Sequence, residues 1–156
     1  MKRIVIIGAG ISGLFIANLF KKNSNYQVTI YEKNNLINLD NGYGIQLSVN
    51  SIKFLNEIGF EKLKNDKKFT PEKINFYSNK NSDKICELDI SDFNSENCKY
   101  TTLKRSALIN FLKKDLEDLI KTDHNISKID HEAKKIKLSF ENSETKECDY
   151  LIVSDG

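Results

Sequence analysis

Four consecutive apolar positions, Ile4-Val5-Ile6-Ile7, run into a glycine turn. A helical apolar spacing follows, and then a second short run, Val28-Thr29-Ile30-Tyr31. Runs of this kind predict strands over Arg3–Ile7 and Gln27–Tyr31 with a helix between them, parallel in one sheet with a later run at Tyr150–Val153. Lys33 to Asn41 is polar. In Gly42-Tyr43-Gly44-Ile45-Gln46-Leu47, two glycines bracket a tyrosine, which predicts a backbone bend near a ligand or another chain segment. Ser48 or Asn50 is placed to cap a helix carrying Ile52, Leu55 and Ile58, stopped by Gly59. Glu61 to Phe69 is polar and reads as a short helix or loop. The period then changes to two: Lys73–Ser78 and Lys84–Ile90 alternate around the turn material Asn79–Asp83, predicting an antiparallel pair with one wet face. Tyr100–Lys104 is a third extended run. Ser106 is placed to cap a helix with Leu108, Leu112, Leu116 and Leu119 on one stripe. Ile126–Ile129, Ile136–Phe140 and Tyr150–Val153 read as a meander, whose last apolar run ends at Ser154-Asp155-Gly156. There is no internal repeat. One strand–helix–strand unit followed by an antiparallel insertion and a late apolar strand predicts a nucleotide domain interrupted by a second sheet, with the late strand returning to the first.

The glycine turn is where the pattern acquires chemistry. Gly8-Ala9-Gly10-Ile11-Ser12-Gly13 follows a strand and opens a helix, and Glu32 ends the next strand. Strand, glycine turn, helix, strand and acid form the dinucleotide-binding fingerprint in its required context. Gly8 permits the tight turn, Gly10 keeps a side chain out of the path of a pyrophosphate, and Gly13 and Ala17 let the helix pack closely on the strand. The pyrophosphate is then expected on the free N–H groups of the helix N-terminus. A carboxylate at Glu32 can accept both hydroxyls of an adenosine ribose and would repel a 2′-phosphate.

At 156 residues the chain is long enough for one domain with a real core. A charged fraction of 29% argues against disorder, and a net charge of +2 is too small to argue for nucleic acid or an acidic membrane surface. Arg3 and Arg105 are the only arginines among many lysines. Cys86, Cys98 and Cys148 have no CxxC spacing, which suits a reduced, cytoplasmic protein. His124 and His131 lack metal-ligand spacing and read as surface or loop residues; no metal site is expected. The start lacks the marks of a signal peptide, and no apolar run reaches the length of a membrane span.

Four segments together resemble the N-terminal part of the FAD-dependent aromatic monooxygenases, the group of p-hydroxybenzoate hydroxylase, salicylate hydroxylase and the ubiquinone-biosynthesis hydroxylases. They are Gly8–Gly13 through Glu32; Gly42–Asn50 running on to Leu55–Phe60, similar to the family's GxGIxLxPNA…LxxLGL stretch; Arg105-Ser106-Ala107-Leu108, similar to its R-x-x-L helix start; and Asp149–Gly156, similar to DLLIGADG. Val49 stands where the family often has Pro, Ser51 where it often has Ala, and Ser154 replaces the usual Ala.

The resemblance implies an α/β fold: a Rossmann-like FAD-binding βαβ core with an inserted antiparallel sheet, incomplete. Residues 1–72 and 100–156 would form part of the FAD domain and 73–99 the start of the substrate-side sheet. It implies FAD as cofactor, NADH or NADPH as co-substrate, and a small phenolic or quinone-precursor substrate, with no nucleic-acid partner. Peripheral membrane association and oligomeric state are left open. Gly8, Gly10, Ile11, Ser12, Gly13, Glu32 and Lys33 would bind the adenosine and pyrophosphate end, and Gly44 and Gln46 would lie near the isoalloxazine. Arg105 would sit beside the FAD, where its fork of donors suits a phosphate or a flavin carbonyl. An Arg in the first turn of a helix is disfavoured by the dipole, which favours a functional reason. Asp155 would be repelled by a pyrophosphate, so it is expected to act through a backbone N–H, a water or the nicotinamide donor, or to be simply a turn residue. No catalytic acid, base or nucleophile is assigned. Family members continue past the Asp-Gly segment with the rest of the substrate sheet and a later Gly-Asp motif. On that basis the chain reads as an N-terminal fragment, expected to hold FAD poorly and catalyse nothing alone. Other flavin oxidoreductases, a reductase or halogenase, and a non-catalytic nucleotide-binding fragment are the alternatives.

Overall fold

The computed structural model describes residues 1–37, 43–132 and 134–156. In chain order the first elements are β1 (Lys2–Ile7), α1 (Ile11–Lys21), β2 (Tyr26–Tyr31), β3 (Gly44–Leu47) and α2 (Val49–Asn56). Next come β4 (Lys73–Tyr77), β5 (Lys84–Asp89), β6 (Thr101–Lys104) and α3 (Arg105–Lys113). The last are β7 (Ile120–Lys121), β8 (Ile126–His131), β9 (Ile136–Phe140), β10 (Thr145–Cys148) and β11 (Tyr150–Val153). They fall into two compact units, residues 1–41 with 108–156 and residues 42–107.

The first unit is built on a parallel sheet in the order β11-β1-β2-β7. Ile4–Ile7 pair in register with Val28–Tyr31 on one side and Tyr150–Val153 on the other. The expected parallel trio is therefore present, and the apolar runs of β1 and β2 are explained by burial on both faces, while β11 lies at the edge with Tyr150 and Val153 half exposed. On one face Val5, Ile7 and Tyr31 join Leu138, Phe140 and Cys148 in a core completed by Ile126, Ile136 and Leu151. Ile4, Ile6 and Ile30 alternate to the other face and are buried as well. α1 buries Gly13, Leu14 and Ala17. Its Asn18 amide donates to the carbonyl oxygen of Leu112 at 2.7 Å, fastening it to the end of α3.

Two expectations change here. The meander is β8-β9-β10, antiparallel throughout; its third strand is Thr145–Cys148, and Tyr150–Val153 leaves it for the parallel sheet. The Leu stripe outlasts its helix: α3 ends at Lys113, and Leu116 is buried beyond it while Leu119 ends a 3₁₀ turn. His124 lies in the loop between β7 and β8, within the surface-or-loop expectation, but its ring is largely covered. Its ring packs 4.9 Å from Tyr31 and 5.1 Å from Phe140, with Glu144 at 3.6 Å. Burial pushes both the Tyr31 phenol and the Cys148 thiol up, so Cys148 is a packed apolar group and a poor thiolate.

In the second unit β3 pairs antiparallel with β6, Gln46 opposite Thr102, and Phe69 bridges Thr102. The bend expected around Tyr43 is thus the start of a strand from Gly44; Gly42 lies outside the described residues. Ser48 occupies the N-cap of α2 without a side-chain cap bond, and Gly59 takes φ +88° past its end, as a stop residue should. α3 begins at Arg105, one residue before the expected Ser106 cap. β4 and β5 form the expected antiparallel hairpin, placing Ile74, Phe76, Cys86 and Leu88 on one face and Lys73, Asn75, Glu87 and Asp89 on the other. Phe76 and Leu88 remain about half exposed, at 49% and 48%. Residues 60–67 form two 3₁₀ turns, in line with the short helix or loop expected there. Among the described residues no helix is long and apolar enough to cross a membrane.

Asp149 closes the bottom of the parallel sheet. Its Oδ2 accepts the Arg3 backbone N–H at 2.7 Å, its Oδ1 accepts the Lys135 ammonium at 2.7 Å, and its own N–H donates to the Arg3 carbonyl oxygen at 3.0 Å. The Lys135 ammonium first, and the Arg3 N–H second, hold its carboxyl down at about 2. A carboxylate depressed in the fold contributes fully above its unfolded value of about 3.9, and the contribution is lost as pH falls through the folded value. Asp149→Asn should therefore be less stable than the parent at neutral pH, with the gap closing as pH falls from about 4 towards about 2. Denaturant unfolding followed by circular dichroism checks this; a gap that stays constant across that window would show that the carboxylate charge is not what stabilises the sheet edge.

Candidate functional site

The turn from β1 into α1 is set by two contacts that admit no side chain. Gly8 has φ +95°, and a Cβ there would stand 2.5 Å from the Ser154 carbonyl oxygen. A Cβ on Gly13 would stand 2.0 Å from the Gly8 carbonyl oxygen and 2.8 Å from Ser154 Oγ. The Gly8 N–H donates to Tyr31 O at 2.8 Å, and the Ser154 N–H and Oγ both donate to Ile7 O at 2.8 Å. The ends of three strands and the start of a helix therefore converge on two glycines.

Gly10 is different. It occupies the N-cap of α1 in extended conformation, φ −78° and ψ −175°, and a Cβ there would meet nothing within 4 Å. The space in front of the helix is open. No side chain caps α1 and no acid stands in its first turn, so the N–H groups of Ile11 and Ser12 begin a helix whose positive end is not compensated from within the helix. That arrangement suits an anionic group approached by backbone.

Glu32 stands beside this mouth. Its Oε2 accepts the Ala9 N–H at 2.9 Å, and its Oε1 accepts the Asn34 backbone N–H at 3.0 Å and Asn34 Nδ2 at 2.7 Å. The side chain is half-buried, and Lys33 next to it is exposed. Asp155 follows β11 and is exposed; its Cα lies 3.2 Å from where a Gly8 Cβ would be. The first unit thus brings together Gly8, Gly10, Ile11, Ser12, Gly13, Glu32 and Asp155, with Lys33 at the rim.

Gly44, Gln46 and Arg105 belong to the second unit. Gly44 pairs with Lys104 at the open end of the β3–β6 ladder, where the Arg105 N–H donates to Tyr43 O at 3.1 Å. Gln46 is exposed, and its Oε1 accepts the Tyr100 hydroxyl at 3.1 Å. Ser154, Asn34 and Tyr100 are the residues that reading the sequence missed. Ser154 had a signal in its place before Asp155; Asn34 meets Glu32 two residues away through a local turn, Tyr100 meets Gln46 through the pairing of β3 with β6, and neither had a signal. Among the described residues no group of three His, Cys, Asp or Glu is placed to hold a metal.

Residues 6–38 match the family model of an NAD(P)-binding Rossmann-like domain. No curated protein matches the chain. Among solved structures, a single-residue variant of HpxO from Klebsiella pneumoniae complexed with FAD aligns with 100% of this chain and 40% of its own, with a TM-score of 0.83 and 17% identity. HpxO is also solved with FAD and uric acid, with a TM-score of 0.80 and 18% identity over 99% of this chain and 39% of its own. 2,6-Dihydroxypyridine-3-hydroxylase from Arthrobacter nicotinovorans gives 0.79 at 16% identity over 99% of this chain and 37% of its own. This chain has the fold they share. The resemblance to flavin monooxygenases drawn from the four motifs is borne out at the level of the fold, a parallel core with separate antiparallel sheets. The Diels–Alderase PyrE3 of pyrroindomycin biosynthesis has it too, with a TM-score of 0.81 and 14% identity over 100% of this chain and 32% of its own. The chain spans 32% to 40% of the length of these structures.

The two kinds of glycine are separable by experiment. Gly13→Ala should cost about 3 kcal/mol or more, because backbone must move to admit the methyl group. Gly10→Ala should change stability by under about 1 kcal/mol, since its backbone angles are ordinary and the space is free. Urea unfolding of both variants checks the pair; equal losses would contradict the assignment of Gly13 to packing and Gly10 to a ligand path.

Proposed function

We propose that the chain forms part of an FAD-dependent monooxygenase that hydroxylates a small aromatic molecule, with NADH or NADPH as co-substrate. The observation that carries this reading is the open mouth at Gly10, with free helix N–H groups on one side and the Glu32 carboxylate on the other. It is supported by the fold shared along the whole chain with HpxO, solved with FAD and uric acid, and with a dihydroxypyridine hydroxylase. Uric acid and dihydroxypyridine are both electron-rich rings, which is the substrate class proposed here.

In this reading the N–H groups of Ile11 and Ser12, with Gly10 leaving the approach clear, hold the pyrophosphate, and Glu32 accepts from the adenosine ribose. Lys33 adds positive charge at the rim. Arg105 presents donors to a phosphate or a flavin carbonyl, Gly44 and Gln46 flank the ring, and Asp155 contributes its backbone N–H or a bound water. FAD held there would supply the redox chemistry, hydride acceptance from the nicotinamide and activation of O₂. The protein's part is binding, orientation and exclusion of water. We assign residues 1–72 and 100–156 to the cofactor domain, and 73–99, with the half-exposed apolar face of the β4–β5 hairpin, to the substrate side.

A second reading has one specific observation in its favour. PyrE3 carries this fold and is a Diels–Alderase, so the fold alone does not dictate oxygen transfer. Under it the chain binds a flavin or nucleotide in another oxidoreductase, a reductase or halogenase, or without catalysis.

Flavin fluorescence titration tests the binding half. Gly10→Val should abolish FAD binding, because the side chain fills the pyrophosphate path. Glu32→Ala should weaken it by about 1.5–3 kcal/mol, the worth of hydrogen bonds to a charged group. FAD bound equally well with Val at position 10 would sink the assignment. Oxygen uptake and NAD(P)H oxidation, stimulated by a phenolic or heteroaromatic substrate and matched by hydroxylated product, separate monooxygenation from the second reading.

A further inference from the structure

The Glu32 carboxylate has less to offer a ligand than a free one. A carboxylate accepts at about four lone-pair positions, two on each oxygen. Asn34 occupies both on Oε1, through its backbone N–H at 3.0 Å and its Nδ2 at 2.7 Å. The Ala9 N–H occupies one on Oε2 at 2.9 Å. One position is left, on Oε2, the oxygen that faces the glycine turn.

We propose that Asn34 is a positioning residue for an adenosine ribose: its two N–H donors clamp Oε1, so that Glu32 presents Oε2 to a single ribose hydroxyl. This rests on the reading of the first unit as an adenosine site, and it narrows that reading from two hydroxyls to one. A carboxylate held at both oxygens cannot swing to meet a ligand, so the ligand must meet it, and selectivity follows from that preorganisation. The clamp is also separable from the fold. The backbone of this segment is held without the Asn34 side chain: the Glu32 N–H donates to Lys121 O at 2.9 Å, the His124 N–H to Glu32 O at 3.0 Å and the Asp123 N–H to Asn34 O at 3.2 Å. Asn34 is itself exposed, so its side chain contributes little packing.

The test uses the chain as it stands, titrated with ADP, 2′-deoxy-ADP and 3′-deoxy-ADP and followed by amide NMR shifts. In the parent, one deoxy analogue should bind about tenfold or more weaker than ADP, the worth of one hydrogen bond to a charged group, and the other should bind nearly as well. Asn34→Ala should keep the parent's melting temperature while that discrimination collapses, and Asn34→Ser, which restores a short donor, should recover part of it. Both deoxy analogues losing equally in the parent would overturn the single-hydroxyl geometry. Parent-like discrimination in Asn34→Ala would overturn the clamp while leaving the adenosine site intact. Failure of the parent to bind ADP would overturn both.

Discussion

The approach of the Gly13 α-carbon to the Gly8 carbonyl oxygen and Ser154 is the contact on which the first unit turns. The end of β1, the start of α1 and the end of β11 meet there, at distances that leave no room for a methyl group. Because α1 begins so close to the sheet, its N-terminal N–H groups emerge at the strand ends. Because β11 ends on the same spot, Asp155 arrives there as well. Moving any one of the three elements by the width of a side chain would separate the helix terminus from Glu32 and dissolve the candidate site.

The two ends of the β1–β11 pair are fastened differently. At the functional end Ser154 donates twice to the Ile7 carbonyl oxygen, a neutral arrangement compatible with an anionic ligand nearby. At the far end Asp149 gathers the Arg3 N–H and the Lys135 ammonium. The charged clasp is thus kept away from the mouth, where a further carboxylate would oppose an incoming phosphate. Two acids do stand at the mouth: Asp155 is exposed to solvent, and the charge of Glu32 is spread over three N–H donors.

How much was legible depended on whether a pattern was local. The strand–turn–helix–strand of residues 2–31 and the β4–β5 hairpin were readable because each is a self-contained run with its own period and punctuation. The destination of Tyr150–Val153 was readable: a late apolar run was expected to return to the first sheet, and it does so as an edge strand with Tyr150 and Val153 half exposed. What the apolar pattern missed was the meander's third strand, Thr145–Cys148, which is mostly polar and exposed. His124 was legible as a loop residue, but its surroundings were not. Nothing beside it in the sequence predicts an aromatic pocket made by Tyr31 and Phe140, residues brought to it by sheet packing.

The sequence by itself determined the dinucleotide turn, because glycine spacing, helix start and terminal acid are enforced within one short stretch by sterics that no distant residue can relax. It also determined which runs become strands and where chemistry is concentrated. Only the tertiary structure decided what that chemistry has left to offer. That Gly8 and Gly13 are sites of contact while Gly10 is open depends on Ser154, more than 140 residues away. That Glu32 keeps one acceptor position free depends on Asn34 and Ala9 closing on it from two sides. Hydrogen-bond capacity is used up by whichever donors the fold delivers, and no one-dimensional pattern records that delivery.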